Sequence, residues 1–599
     1  MNCCPLVLLF CVPLALAQEP RSRETPKPPA QLQTFDAAVT DAAGRPVPGL
    51  TASDFNLTQA GAPQKIDSLA WFDATRHTGA GKAPPSFDLE PSEIRRNFVL
   101  IVDDLGLTPE RATSVQNLLR EFVNEQLTTD DRAVILRISS GAGWQQQLGT
   151  DRRSLVEQIE RVQPLGHGLS RNAIAGAVWQ SVRGAADGLR SISGRKAVVL
   201  ISQHLDAPLA PGSDPASTRN SVRTQAHAAA MVFYTVNPDG RAEPPRDSPL
   251  AWLIRETGGL AAPALADVLR DQESYYLLSF HPSAEAAGAT PVVLTLRGKV
   301  LNLRWRAGFL TAIEAPYAPV PPTRSAAVNR ALSGAMGGSE IETRITPLFA
   351  GYSRNGAAIE VLVHIGARGL SKLLDLKGMH QVTAEIQLAV YNDAGKVLAP
   401  PGIGYDMFLR DSQVAKLQEQ GLLYTTRLTV PRAGAYQVRA AVVDGLSDRT
   451  GSAMQFIEVP AIETGQFAIG GLVLDPGASL KLDEGIHLAQ NIAATRVFPP
   501  GSPIAFSYNV FNATLGPAKE SRIQVKTTIY ANGHQVYSGR PVDLNFPAAA
   551  GDIRTVNGKV QLDQRLSPGE YVIEVEATDL VSKEAAPRVA FQYITFDVR

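Results

Sequence analysis

One serine, one lysine-containing loop and two carboxylate pairs are the residues whose types and spacing come nearest to catalytic chemistry. Ser170 in Gly168-Leu-Ser-Arg-Asn172 resembles a nucleophile elbow, but the second glycine and a preceding strand are missing. Gly79-Ala-Gly-Lys82 lacks the spacing of a phosphate-binding loop, and no His-Glu-x-x-His zinc motif occurs. The pairs Asp130–Asp131 and Asp271–Glu273 fit solvated charges at loop or helix ends. The sequence therefore predicts a protein that is not an enzyme.

The three cysteines, Cys3, Cys4 and Cys11, all lie in an amino-terminal apolar stretch that is too short to span a bilayer. The stretch ends in Ala15-Leu-Ala17, a small-x-small pattern typical of signal-peptidase cleavage, so residues 1–17 are interpreted as a signal peptide. A lipid-modified Cys11 is the alternative, although Phe10 occupies a position that needs a small residue. Cleavage predicts a secreted or periplasmic protein with no cysteine, which excludes disulfide scaffolds, thiol enzymes and thiolate metal sites.

Chain length and net charge limit the classes to which the protein can belong. The 599 residues suffice for several domains, and the 44% hydrophobic and 19% charged residues are ordinary for a globular chain. The formal net charge of −1 gives no bias toward nucleic acid or anionic membranes. We therefore expect no nucleic-acid partner and no membrane span after removal of the signal.

Short apolar runs alternate with helical patterns between residues 98 and 280. Phe98–Val102, Ala133–Leu136 and Ala197–Ile201 suit strands that are buried on both faces of a parallel sheet. Thr108 and Pro109 begin a helical pattern that continues to Leu127. Tyr275–Phe280 is predicted as the last strand. This alternation predicts a doubly wound, Rossmann-like α/β domain.

The rest of the chain is predicted to consist of β structure and linkers. The predicted division is a flexible leader at 18–33, a small β module at 34–75, a linker at 76–94, the α/β domain at 95–312, a linker at 313–340, and two Ig-like β-sandwiches at 341–461 and 465–599. The sandwiches are inferred from a repeat in which Gly434-Ala-Tyr436 with Asp444 corresponds to Gly569-Glu-Tyr571 with Asp579. Each tyrosine is interpreted either as a tyrosine corner or as an ordinary strand aromatic.

Several segments in order resemble one known family. They are Val39–Leu50, Asp54–Phe55, Phe98–Thr108, Gly194–Ser202, Phe233–Val236, Glu256–Gly259 and Ser274–Leu278. On these segments residues 98–280 resemble a von Willebrand factor A domain, and residues 34–312 resemble the secreted proteins with such domains that are abundant in acidobacteria. The overall fold class predicted is thus multidomain α/β plus all-β.

The resemblance implies a divalent-cation site, because such domains commonly bind ligands through a metal held by carboxylate and hydroxyl oxygens. Asp103 matches the first aspartate of the family motif, but Leu105 and Leu107 replace both serines. A frame shifted by one residue uses Asp104 and Thr108. With Ser170, these residues form a degenerate MIDAS-like candidate set (Asp103, Asp104, Thr108, Ser170) for Mg²⁺ or another divalent cation. Gln203 stands where a late aspartate is typical. The alternative is that Asp103 and Asp104 cap the following helix and bind loop amides.

Three functions follow as hypotheses. The first is an extracytoplasmic protein-binding or adhesion-type module that contacts its protein partner through the face of the α/β domain or the edges of the sandwiches. The second is a structural scaffold in the envelope. The third is a hydrolase with a site of unrecognised type.

Overall fold

The computed structural model describes residues 32–59, 61–73, 95–192, 194–206, 208, 215–240, 243–281, 292–306, 310–311, 324–333, 336–374, 378–392, 395–474, 484–489, 495–547, 553–584 and 586–599. The predicted signal peptide, nearly all of the leader and the linker at 76–94 lie outside the described residues. No helix within these described ranges is long and apolar enough to cross a membrane.

The elements are as follows. The helices are α1 (Pro109–Glu121), α2 (Arg152–Glu160), α3 (Arg171–Leu189), α4 (Pro215–Ala228), α5 (Pro249–Thr257), α6 (Leu265–Glu273), α7 (Arg324–Ser333) and α8 (Asp411–Gln420). The strands of the amino-terminal half are β1 (Gln33–Thr40), β2 (Phe55–Gln59), β3 (Ala62–Gln64), β4 (Ser68–Asp73), β5 (Asn97–Val102), β6 (Arg132–Arg137), β7 (Ser140–Ala142), β8 (Lys196–Ile201), β9 (Met231–Val236), β10 (Ala261–Ala262), β11 (Ser274–Phe280), β12 (Val292–Leu296), β13 (Asn302–Trp305) and β14 (Leu310–Thr311). The later strands are β15 (Thr343–Ser353), β16 (Gly356–Ile365), β17 (Leu373–Leu374), β18 (His380–Asn392), β19 (Gly395–Leu398), β20 (Ile403–Leu409), β21 (Leu422–Val430), β22 (Gly434–Asp444), β23 (Thr450–Val459), β24 (Ala468–Ile469), β25 (Val473–Leu474), β26 (Gly485–Leu488), β27 (Val497–Phe498), β28 (Pro503–Phe511), β29 (Glu520–Ala531), β30 (His534–Ser538), β31 (Val542–Pro547), β32 (Ile553–Gln561), β33 (Gly569–Asp579) and β34 (Arg588–Val598).

A five-stranded parallel sheet in the order β10-β9-β8-β5-β6 forms the centre of the α/β part. Every residue of β5 and β8 is buried, because helices cover both faces of the sheet. Alternate residues of β5 face opposite ways: Phe98 and Leu100 pack with α1, α2 and α6, whereas Val99 and Ile101 pack with α3, α4 and α5. The apolar runs in the sequence therefore form a doubly wound α/β sheet.

The prediction that Tyr275–Phe280 belongs to this parallel sheet is wrong. The segment is β11, and it pairs antiparallel with β1 on one side and β4 on the other. The strands β13 and β14 extend the same sheet from β1. The β module predicted at 34–75 is consequently not a separate unit, because its sheet is completed by strands from the predicted 95–312 domain. Aromatic packing explains the pairing, since Phe35, Tyr276 and Phe280 share one core.

Two carboxylates predicted to be solvated are buried in ion pairs. Asp271 lies 3.3 Å from Arg195 Nη2 and also pairs with Arg304, whose strand β13 belongs to the antiparallel sheet. Asp131 accepts hydrogen bonds from Arg96 Nε and Nη2 at 2.7 and 2.6 Å. Burial of a carboxylate requires such partners, so these pairs join the elements on either side.

Two facing sheets enclose one apolar core in residues 343–459 together with β26, which we name the first β unit. One sheet runs β15-β16-β21-β26 and the other contains β17, β18, β22 and β23. Two boundaries differ from the prediction. The strand β26 lies in the predicted second sandwich but pairs with β21, and α7 forms within the predicted linker at 313–340, where Ala331 and Leu332 pack on β18 and β22.

The second β unit, residues 467–598 without β26, repeats this arrangement around its own core. The strand β18 pairs with β19 and β20 on one edge and with β22 on the other, and β29 pairs in the same way with β30, β31 and β33. The register shifts at corresponding places, Val390/Tyr391 and Ile529/Tyr530. The internal repeat inferred from the sequence therefore has a structural counterpart.

The tyrosine of each repeat anchors the loop that precedes it. The hydroxyl of Tyr436 donates to the carbonyl of Arg432 at 2.8 Å, and that of Tyr571 donates to Ser567 at 2.9 Å. Both tyrosines are buried. The tyrosine-corner interpretation is confirmed at both positions.

We expect Tyr571→Phe to lower the free energy of unfolding by about 0.5–1.5 kcal/mol, because the Ser567 carbonyl loses its donor. Urea unfolding of the chain from Gln18 measures the change. The exposed Tyr537 provides the control, since Tyr537→Phe should leave stability unchanged. Equal stability of Tyr571→Phe and wild type would contradict the anchoring role.

Candidate functional site

Asp103 lies at the carboxyl end of β5 beside the end of β8. Its carboxylate accepts hydrogen bonds from the Gly106 amide at 2.8 Å and from Ser202 Oγ at 2.6 Å. A Cβ at position 106 would come within 2.3 Å of Asp103 Oδ2, so the tight loop requires glycine. One oxygen of Asp103 thus closes the loop between β5 and α1, and the other joins that loop to the end of β8.

Asp104 turns toward the neighbouring strand end. Its carboxylate accepts a hydrogen bond from the Ser139 amide at 3.0 Å and another from Ser139 Oγ. Burial raises the pKa of Asp104 to about 6, and the nearby Arg137 guanidinium opposes that rise. Burial raises the pKa of Asp103 to about 7, against the hydrogen bond from Ser202 and together with the charge of Asp104.

Thr108 and Ser170 stand at the amino-terminal ends of two different helices, α1 and α3. The Thr108 amide donates to Gln203 Oε1 at 3.1 Å, and Gln203 Nε2 donates to Asp239 at 2.9 Å. Ser170 Oγ caps α3 by accepting from the Ala173 amide at 3.1 Å. The structure thus brings Asp103 together with Ser202 rather than with Ser170. Asp103 and Asp104 bind loop groups, as the alternative predicted, but they do not cap α1, which begins after Thr108.

These residues do not fit a site for Mg²⁺. Each carboxylate oxygen of Asp103 and Asp104 already accepts a hydrogen bond, and the buried Leu105 and Leu107 offer no oxygen. A raised pKa also favours the protonated carboxyl, which is a poor ligand for a hard cation. The described residues contain no group of three His, Cys, Asp or Glu side chains placed to hold a metal ion.

The two β units cover part of the carboxyl edge of the parallel sheet, at the loop after α2. His167 stacks on Phe591 with ring centroids 3.9 Å apart, and its Nδ1 lies 3.2 Å from Glu574 Oε2. Ser170 Oγ lies 3.5 Å from Glu458 Oε1 of β23. The loop after α2 therefore faces the protein's own β units. This cover includes part of the edge at which doubly wound sheets usually bind ligands.

A turn and a short strand complete this cover. Asn532 and Gly533, both with positive φ, form the β29–β30 turn, and a Cβ at Gly533 would lie 3.1 Å from the carbonyl oxygen of Pro109 in α1. The strand β7 leaves the α/β part and pairs antiparallel with β23, which adds it to the sheet of the first β unit. One sheet is thus shared between two parts of the chain.

Buried ion pairs fix the second β unit against the parallel sheet. Glu570 of β33 receives Arg137 Nη1 on one oxygen and Arg161 Nη1 on the other, the latter at 2.9 Å. Asp597 of β34 lies 3.3 Å from the same Arg161 nitrogen and 2.9 Å from Arg344 Nη1 of β15. Three parts of the chain therefore meet at two carboxylates.

Sequence reasoning missed these charged residues. Arg137 ends a buried strand and Glu570 lies inside the repeat next to Tyr571, so both had a recognisable local context. Nothing in that context pairs residues that are more than 400 positions apart in the chain.

The comparisons with known proteins leave the family open. No protein-family model and no curated protein sequence matches the chain. A calcium-binding mutant of Bacteroides uniformis beta-glucuronidase 2 is similar at 10% identity and a TM-score of 0.16, over 41% of this chain and 27% of that chain. Escherichia coli alpha-2-macroglobulin activated by porcine elastase is similar at 12% identity and a TM-score of 0.15, over 54% and 25%. The chain spans about a quarter of the length of each structure, and these scores are too low to relate the folds.

We expect Asp103→Asn to flatten the dependence of stability on pH. An aspartate whose pKa is about 7 in the folded protein and near 3.8 when unfolded releases its proton on unfolding, so the wild type loses stability as pH rises from about 4 to 7. Asparagine has no proton to lose. The free energy of unfolding of the variant should therefore rise relative to that of the wild type across this pH range, by on the order of 1.4 kcal/mol for each unit by which folding shifts the pKa.

Urea unfolding at intervals between pH 4 and 8 measures the difference between the two proteins. A difference that stays constant over the whole range would show that Asp103 titrates as an exposed carboxylate, and it would contradict the burial described above.

Proposed function

We propose that this chain is an extracytoplasmic protein-binding protein, with an α/β part of the von Willebrand factor A type and two Ig-like β-sandwiches, and that it acts by binding rather than by catalysis. The doubly wound sheet and the two repeated β units support this proposal. The secreted or periplasmic location rests on the amino-terminal sequence alone.

The observation that carries the proposal is the outer edge of the second β unit, formed by β30 and β31 along the same side of β29. Val536 is 48% exposed, Tyr537 41% and Val542 51%. Within the described residues, neither strand pairs with another strand on its outer side. An exposed strand edge with apolar side chains binds an extended segment of another protein by adding it as a further strand.

The partner that fits this edge is an extended segment with apolar side chains at alternate positions. Main-chain hydrogen bonds along the edge supply affinity, and the exposed valines and tyrosine select apolar side chains. In this proposal the part of the carboxyl edge around His167 and Ser170 is not the contact surface, because the protein's own β units lie on it.

A structural envelope scaffold is the second candidate. The sheet shared between β7 and β23 favours it, because that pairing joins the α/β part to the first β unit by main-chain hydrogen bonds. A joined body of this kind holds its ends at a fixed separation, as a spacer requires.

Affinity capture from envelope and secreted fractions tests the proposal, with the chain from Gln18 as bait and with Mg²⁺ or EDTA in parallel. We expect a captured protein whose recovery is equal in both conditions, because Asp103 and Asp104 already bind loop groups. The double variant Val536→Lys/Val542→Lys should lose that protein, since two ammonium groups then line the edge.

The control is Val293→Lys on β12, where the valine is equally exposed at 50% but lies on the separate three-stranded sheet β12-β2-β3. This variant should capture as the wild type does. Capture abolished by EDTA would contradict the proposal in favour of a cation site. Capture that the double variant retains would exclude the β30–β31 edge, and no captured protein at all would favour the scaffold.

A further inference from the structure

A small cavity lies where the α/β part and both β units meet. Its volume is about 50 Å³, and its walls come from the end of β6 with β7, from β15 and β23, and from β33 and β34. The charged residues that line it are Arg137, Arg161, Arg344, Arg496, Glu570 and Asp597.

The charges around this cavity do not balance. Two carboxylates face four guanidinium groups, which leaves an excess of two positive charges. Glu570 and Asp597 are already shared among Arg137, Arg161 and Arg344. Three charged groups lie close by but outside the lining. Glu342 near Arg344 and Arg599 near Asp597 carry opposite charges and offset each other. The buried Asp104 lies near Arg137 and lowers the excess by one charge when its carboxyl is ionised, so the cavity remains positive.

Two of the guanidinium groups have buried nitrogens without a hydrogen-bond partner among the described residues. They are Nε of Arg496 and Nη2 of Arg344. A backbone hydrogen bond holds Arg496 beside β34, since its carbonyl accepts the Asp597 amide at 2.8 Å, although its φ of 53° is one that residues with a side chain rarely adopt. Burial, together with the charge of Arg344, lowers the pKa of Arg496 to about 10. Leaving buried donors unpaired is costly, so the arrangement calls for an acceptor.

We propose that this cavity binds a small dianionic oxyanion of the size of phosphate or sulfate. The negative charge of the anion offsets the positive excess of the lining, and its oxygens accept from Arg496 Nε and Arg344 Nη2. The cavity volume of about 50 Å³ is suitable for this ligand. A cavity needs about 10–15 Å³ to hold one water molecule, and a tetrahedral oxyanion carries four oxygens. Bound at the junction, the anion joins the two β units through Arg344 and Arg496, beside the α/β arginines that hold Glu570.

Isothermal titration calorimetry on the chain from Gln18 tests the site directly, with inorganic phosphate or inorganic sulfate in a chloride buffer of constant ionic strength. We expect saturable binding of one dianion per chain and a thermal unfolding temperature that rises with its concentration. Acetate, a monoanion, should compete poorly. Comparison of the phosphate and sulfate arms shows which oxyanion the site prefers.

Arg496→Gln should weaken the apparent affinity about ten-fold or more, because one charge and the unpartnered donor are lost together. If that variant does not fold, Arg344→Gln tests the same site, because it removes the second unpartnered donor and should also weaken binding. Arg427→Gln is the matched control, because Arg427 is an exposed arginine paired only at the surface with Glu360, and its binding should equal that of wild type.

Two results would overturn the proposal. One is the absence of saturable binding of phosphate or sulfate to the wild type. The other is an equal rise in unfolding temperature for wild type, Arg496→Gln and Arg344→Gln, which would reveal a general effect of salt on the protein surface. Neither result bears on the β30–β31 edge, so this site and the proposed function fail independently.

Discussion

The carboxylate of Glu570 is held at the carboxyl end of the parallel sheet by guanidinium groups from Arg137 and Arg161. A carboxylate loses its hydration when it is buried, and only close, well-placed cations offset that loss. Both arginines belong to the α/β part, whereas Glu570 belongs to the second β unit, so the stability of this pair depends on the two parts staying together. The contacts of His167 with Glu574 and Phe591 and of Ser170 with Glu458 lie along the same junction.

The junction between the α/β part and the β units limits which surfaces of the α/β part are accessible to a ligand. In a doubly wound sheet the carboxyl ends of the strands form the usual ligand site, and here the loop after α2 at that edge is packed against the β units. Asp103 and Asp104 hold Gly106, Ser202 and Ser139 in place instead of presenting oxygens to a cation. The raised pKa values of both carboxyls follow from the same burial. Surfaces that remain open, above all the β30–β31 edge, are therefore the ones we assign to a partner.

The sequence was informative wherever local pattern determines structure. The apolar runs at Phe98–Val102 and Ala197–Ile201 predicted buried parallel strands, and the tyrosines at 436 and 571 indicated the repeat, because both depend on neighbours close in the chain. Pattern failed for Tyr275–Phe280, since an apolar run fits an antiparallel strand as well as a parallel one. It also failed for the helix Arg324–Ser333, whose stability comes from packing on β18 and β22. Asp103 and Asp104 lie at the end of a strand, as the sequence pattern indicated, but their partners Ser139 and Ser202 lie 35 and 99 positions away, where no local pattern identifies them.

A double-mutant cycle on Arg137→Ala and Glu570→Ala tests the junction most directly, with the exposed pair Arg427 and Glu360 as the reference cycle. Urea unfolding in phosphate-free and sulfate-free buffer supplies the four free energies for each cycle. The structure predicts that the double variant is less destabilised than the sum of the single variants by about 1–3 kcal/mol, because each single change leaves a buried charge without its partner. Additive effects, within about 0.5 kcal/mol, would mean that Arg137 and Glu570 do not meet in solution and that the carboxyl edge of the parallel sheet is open.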